Sequence, residues 1–148
     1  MGSNPRRESG FTLIEIMVVL VIIAILGALV GPALFDRVSD ARVKATRLDI
    51  RSLGTALDMY QMDNFRYPTS EQGLDALVKA PTSEPVPRNW RPRGYLRSNS
   101  VPKDQWGNDY LYLQPGREGL PFDLYTLGAD GQPGGEGADA DIGNWNID

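Results

Sequence analysis

The chain opens with a long apolar stretch. From Phe11 to Leu34 the clearly polar residues are Thr12 and Glu15. At about 1.5 Å per residue, a helix over this run is roughly 36 Å long, enough to cross a hydrocarbon core. After Gly31-Pro32 the pattern changes. Leu34, Val38, Ala41, Ala45, Leu48, Leu53, Ala56, Leu57 and Tyr60 recur at helical spacing. Asp36, Arg37, Asp40, Arg42, Lys44, Arg47, Asp49 and Arg51 mix signs on the polar face, a pattern typical of a solvated surface. Pro32, beside Gly31, predicts a kink or local loosening. The alternative is a proline that the helix simply tolerates. The helix is predicted to stop near Asp63-Asn64, because Pro68 forbids its continuation.

The remainder is patterned in shorter pieces. "PTSEQGLDALVKAP" predicts a second short helix, capped by Thr69 or Ser70 and closed by Pro81. "PTSEPVPRNWRPRGYL" is Pro-rich and reads as an ordered loop packed by Trp90 and Tyr95. Tyr110 to Leu113 and Phe122 to Leu127 read as strands, with Pro115-Gly116 and Gly119 in the turn between them. The predicted class is α+β: a long N-terminal helix packed on a small C-terminal antiparallel sheet.

Composition narrows the chemistry. The 148 residues suggest one domain with an appendage, and the 41% hydrophobic content is concentrated near the N-terminus. Net charge is −4, which argues against a general nucleic-acid binder. Cys and His are absent, which removes disulfides, thiol nucleophiles, Cys/His zinc sites and His-based triads. A membrane-anchored enzyme would need a carboxylate pair, a Ser–Lys arrangement or a metal, and no compelling constellation is present. No phosphate-binding loop is visible either.

The tail is the remaining candidate for chemistry. From Arg117 onward seven residues are acidic and one is basic. Asp130, Asp139 and Asp141 lie in a Gly-rich segment without hydrophobic periodicity. Two readings stand: a solvated acidic loop, or a calcium site built from carboxylates and backbone carbonyls. The spacing is not that of an EF-hand. Glu136 and Asp123 are weaker candidate ligands.

The apolar run also has competing readings. Arg6 and Arg7 precede it, which favours a cytoplasmic N-terminus. A signal peptide, a plain anchor and a more specialised segment all fit this outline. Glu15 resists the first two, since a carboxylate in hydrocarbon is costly unless paired or able to reach the headgroups.

"SGFTLIEIMVVL" resembles the N-termini of the type IV pilin class. The resemblance implies cleavage between Gly10 and Phe11 by a prepilin peptidase and methylation of the new amine on Phe11. It also implies an assembly role for Glu15, which would neutralise that amine on a neighbouring subunit. "LDMYQMDNFRYPTSEQGLDALV", "WGNDYLY", "PFDLYTLGADG" and "DADIGNW" look like the major pseudopilins of the type II secretion system. One departure is visible: Gln105 and Asp109 stand where the family often has prolines.

This likeness implies four parts: a basic leader over 1–10, a transmembrane and filament-core helix over 11–34, its amphipathic continuation over 35–67, and a periplasmic head over 68–148. The implied fold is pilin-like. The implied role is a structural, non-enzymatic subunit of a periplasmic filament that helps to move folded proteins across the outer membrane. Its partners would be copies of itself, minor pseudopilins, an inner-membrane assembly platform, the peptidase, secreted proteins and inner-membrane lipid. A structural calcium is implied in the tail, held by Asp130, Asp139, Asp141 and the backbone carbonyl of Leu127. An adhesive or DNA-uptake type IV pilin is the alternative, although such pilins more often close the head with a disulfide.

Overall fold

The structure, a computed structural model, describes residues 11–147, and for residues 29–36 the backbone alone. The leader and Gly10 lie outside the described residues. The chain divides into two compact units after Val38.

Helix α1 spans Leu13–Asn64. Its start is fixed locally. The Glu15 N–H donates to Thr12 Oγ1 at 3.3 Å, and the Thr12 N–H donates to the Glu15 carboxylate at 3.5 Å. This reciprocal capping box satisfies amides that a helix N-terminus otherwise leaves unpaired. In the first unit the apolar side chains point to solvent: Phe11 is 78% exposed, Leu13 81% and Leu26 55%. Among the described residues no helix is long and apolar enough to cross a membrane; the described side chains of the apolar run end at Ala28. The helical assignment continues unbroken through Gly31 and Pro32, where the sequence predicts loosening. A proline removes one backbone donor, and the turns on either side remain helical here.

In the second unit α1 buries Thr46, Ile50, Leu53, Leu57, Tyr60 and Asn64, a single face at alternating spacings of four and three. The helix ends at Asn64, as predicted. The buried Asn64 amide donates to the Tyr60 carbonyl and the Tyr95 hydroxyl, and its oxygen accepts from the Asn89 N–H. Against this face packs a three-stranded antiparallel sheet: β1 Leu111–Leu113, β2 Asp123–Thr126 and β3 Ile142–Gly143, in the order β1-β2-β3. Leu111 pairs with Tyr125 and Leu113 with Asp123; Thr126 pairs with Ile142. Tyr112 and Leu124 point into the core, and Leu111 and Leu113 point out, as strand alternation requires.

Two features depart from expectation. The second helix is only a 3-10 turn, Leu74–Leu77. Its cap chemistry acts one turn earlier, where Thr69 Oγ1 accepts from the Gln72 N–H and Gln72 Oε1 accepts from the Thr69 N–H, both at 3.2 Å. Ser70 instead bonds to the Gln114 backbone. Gly73, at φ 59, breaks the run before α-helix can propagate. The other departure is β3, which is two residues long and too short to show a period. The Pro-rich segment is an ordered loop, as read: Trp90 Nε1 donates to the Ala76 carbonyl at 2.8 Å, and the Tyr95 N–H donates to the Leu77 carbonyl at 2.7 Å. The C-terminus is tied to α1 through Arg51, which donates to the Ile147 carbonyl.

Candidate functional site

Two places carry the candidate residues. The first is the start of α1. Phe11 and Glu15 are exposed, and Glu15 is engaged with Thr12 within its own turn. The carboxylate thus has a local role that the sequence reading missed, although the T-x-x-E spacing of a capping box signals it.

The second is the loop from Leu127 to Asp141. It leaves the sheet at the end of β2 and returns as β3, so both ends are anchored. Gly128 and Gly135, at φ 69 and 78, let its two sides meet. A Cβ on Gly128 would lie 2.7 Å from the Ala138 oxygen, and one on Gly135 would lie 2.4 Å from the Asp139 oxygen. The Ala129 N–H donates to Ala138 O, and the Asp141 N–H to Gly134 O. Glycine is required at both positions by the backbone angle and by the lack of space.

The candidate carboxylates fare differently. Asp141 is half-buried, and its Oδ1 is shielded from solvent without a hydrogen-bond partner. Asp139 contributes its backbone to the Gly128 and Gly135 contacts, and its side chain is exposed. Asp130 is exposed and accepts from the Gln132 N–H at 2.9 Å. Glu136 is exposed. Asp123 is committed elsewhere: it is buried, pairs with Arg117 Nε at 2.8 Å and accepts from the Arg117 N–H. Among the described residues no group of three or more acidic side chains is gathered as a metal cage. A cation here would therefore depend on backbone carbonyls beside one or two carboxylates. The orphaned Asp141 oxygen and the close-wrapped Gly-rich backbone suit calcium, which accepts irregular shells of oxygen ligands.

The sequence identifies the Trp106-Gly107-Asn108 turn that flanks this loop, but not the role of Asp104 in closing it. Asp104 is buried, and its Oδ1 accepts from the Trp106 and Asn108 N–H groups at 3.0 and 2.7 Å. Its Oδ2 accepts from the Thr126 hydroxyl. Asn108 donates to the Gly128 carbonyl at 3.2 Å. An Asp two and four residues before two such amides, with Gly107 between them, is the signal that could have revealed it. Trp145 packs on Tyr125 at 5.4 Å between ring centroids, and the Arg117 guanidinium lies 3.7 Å over its ring.

Comparison with known proteins bears on both places. Residues 33–145 match the family described as type II secretion system (T2SS), protein G. Residues 5–31 match the prokaryotic N-terminal methylation motif. The type II secretion system core protein G of Pseudomonas aeruginosa is 57% identical, covering 95% of this chain and 97% of that protein. The Vibrio cholerae counterpart is 55% identical over 96% of this chain and 94% of its own length. A crystal structure of the major pseudopilin from the type 2 secretion system of enterohaemorrhagic Escherichia coli superimposes with a TM-score of 0.65 at 46% identity. It covers 76% of this chain and 93% of its own. By sequence over nearly its whole length, and by fold, this chain belongs to the type II secretion system protein G family.

Proposed function

We propose that this chain is the major structural subunit of a type II secretion pseudopilus, a filament whose growth helps to drive folded proteins across the outer membrane. The leader is removed between Gly10 and Phe11 by a prepilin peptidase, and the new amine on Phe11 is methylated. The subunit stands in the inner membrane through residues 11–34, with its N-terminus cytoplasmic and its head periplasmic, before entering the filament. Its partners are copies of itself, minor pseudopilins, the inner-membrane platform and the secreted proteins. The role is mechanical, not enzymatic.

One observation carries this reading. The start of α1, from Phe11 to Leu26, exposes a nearly continuous series of large apolar side chains, interrupted by Thr12, Glu15 and Ala24. Exposed apolar surface on this scale marks a face meant for lipid or for another protein. Glu15 lies four residues from the amine that cleavage would create. A carboxylate among packed apolar helices is tolerable when paired and costly when not, so Glu15 sets the register between subunits.

Calcium belongs to the same proposal. Asp141, Asp130, Asp139 and the carbonyl of Leu127 would hold it, and when bound it would supply a cross-link between the two sides of the 127–141 loop. Asp141 is the strongest of the three carboxylates, because its buried oxygen otherwise lacks a partner.

The test is overproduction in a secretor strain lacking its own protein G, followed by electron microscopy and an assay of released exoproteins. Filaments together with restored release are expected. Filaments without release would point to a type IV pilus, and the absence of both filaments and release would overturn the polymer reading.

A further inference from the structure

We propose that the turn from Asp104 to Asn108 is a positioning element that presets the Leu127 carbonyl for a cation. The inference rests on the calcium reading above and extends it to residues outside the loop. Leu127 lies between two residues gripped by one turn. On one side the Thr126 hydroxyl donates to Asp104 Oδ2. On the other the Gly128 carbonyl accepts from Asn108 Nδ2. The carboxylate of Asp104 is itself fixed by the Trp106 and Asn108 amides, so the turn is a closed unit. Gly128 is also pressed against Ala138 and Asp139 from the far side.

The residues on either side of Leu127 are thereby held by bonds that involve no ion, Thr126 through its side chain and Gly128 through its own carbonyl. Among the described residues the Leu127 carbonyl accepts no backbone hydrogen bond, so it is free to serve as a ligand. A carbonyl held in advance loses little freedom on binding, and outer-shell partners of this kind are commonly worth 10- to 100-fold in metal affinity. Asn108 is exposed, so its side chain contributes little to the core, and its bond to Gly128 is best explained by what it positions. Gln105 and Asp109 are not prolines, and the turn is closed by the Asp104 carboxylate together with backbone bonds from the Asp104 N–H to the Asn108 carbonyl and from the Gly107 N–H to the Asp104 carbonyl.

The experiment titrates the full chain, in detergent micelles, with Ca²⁺ by calorimetry and with Tb³⁺ by luminescence sensitised through the tryptophans. Asn108→Ala and Thr126→Val are each expected to weaken Ca²⁺ binding about 10-fold. Thr126→Ser, which keeps the hydroxyl, restores it. The melting midpoint of metal-free Asn108→Ala stays at the wild-type value. Wild-type binding with unchanged affinity in both variants would overturn the positioning role. So would an equal fall in the metal-free and metal-loaded midpoints of Asn108→Ala, which would make the bond merely structural. Absence of binding by the wild type would instead overturn the calcium reading itself.

Discussion

At the scale of single residues, pairs of groups do most of the explaining. Asp63, on the last turn of α1, receives two bonds from the Arg91 guanidinium, the shorter at 2.6 Å. That bond holds the Asp63 carboxyl below its ordinary range. A carboxyl whose folded pKa is depressed stabilises the fold above its unfolded pKa. That contribution is lost as pH falls through the folded value. The pair is exposed, so the gain is small. NMR titration should show the Asp63 midpoint below that of a free aspartate, and Arg91→Ala should return it. An unchanged midpoint in the variant would exclude Arg91 as the cause. Glu15 shows how far a residue can be read without its structure. Its cost in an apolar run was visible, and the family likeness supplied a partner. Its bond with Thr12 follows from its other setting, the third position of a helix start, which the cost of a carboxylate in hydrocarbon does not reveal.

At the scale of elements, α1 carries two stripes in the second unit. One is the buried face through Ile50, Leu53, Leu57 and Tyr60. The other runs through Ala41, Ala45, Leu48, Ser52, Thr55, Met59 and Met62, again at alternating spacings of four and three. It lies about 160° round the helix from the first. It holds no charge, and Leu48 and Met62 are 62% and 71% exposed. The two stripes should respond oppositely to substitution. Leu57→Ala should cost the fold about 2–5 kcal/mol, read by denaturant unfolding. Leu48→Glu should leave that stability within about 0.5 kcal/mol and still reduce filament yield. Equal loss of stability in both variants would mean that the second stripe is not a free face.

The other elements were legible in proportion to their length. α1 and the β1–β2 hairpin showed their periods, and the helix end was placed by Asn64 and Pro68. β3 has two residues and shows no period. The 74–77 segment had helical composition, but Gly73 and the tight turn held by Thr69 and Gln72 limited it to a 3-10 turn. The spacing of Asp104, Gly107 and Asn108 signals a local turn, but its reach to Thr126 and Gly128 depends on contacts between distant segments that spacing alone does not reveal.

At the scale of the whole molecule, the C-terminal region is closed by two kinds of tie, to which the proposed calcium would add a third. Arg51 binds the Ile147 carbonyl, and Ile147 is buried. Arg117 joins buried Asp123 to the face of Trp145. Calcium would be the third, acting only on the loop between β2 and β3. Chelation should therefore loosen residues 127–141 first and spare the core. Saturating Ca²⁺ should raise the melting midpoint, with a gain of about 2.7 kcal/mol at a hundredfold excess over Kd. EDTA should reverse the rise and speed proteolysis within the loop. Cleavage appearing first in α1 or in β1 would contradict the proposed placement of the ion.

The central claim is that the apolar segment is kept and used for assembly, and the most direct test is the mass of the mature protein. The chain should be purified from membranes of cells that express a prepilin peptidase, then weighed intact and sequenced from its N-terminus. A chain that begins at a methylated Phe11 is the expected result, and it would give Glu15 a real amine to meet. A chain cut after the apolar run would be a secreted soluble protein, and the proposed filament could not form.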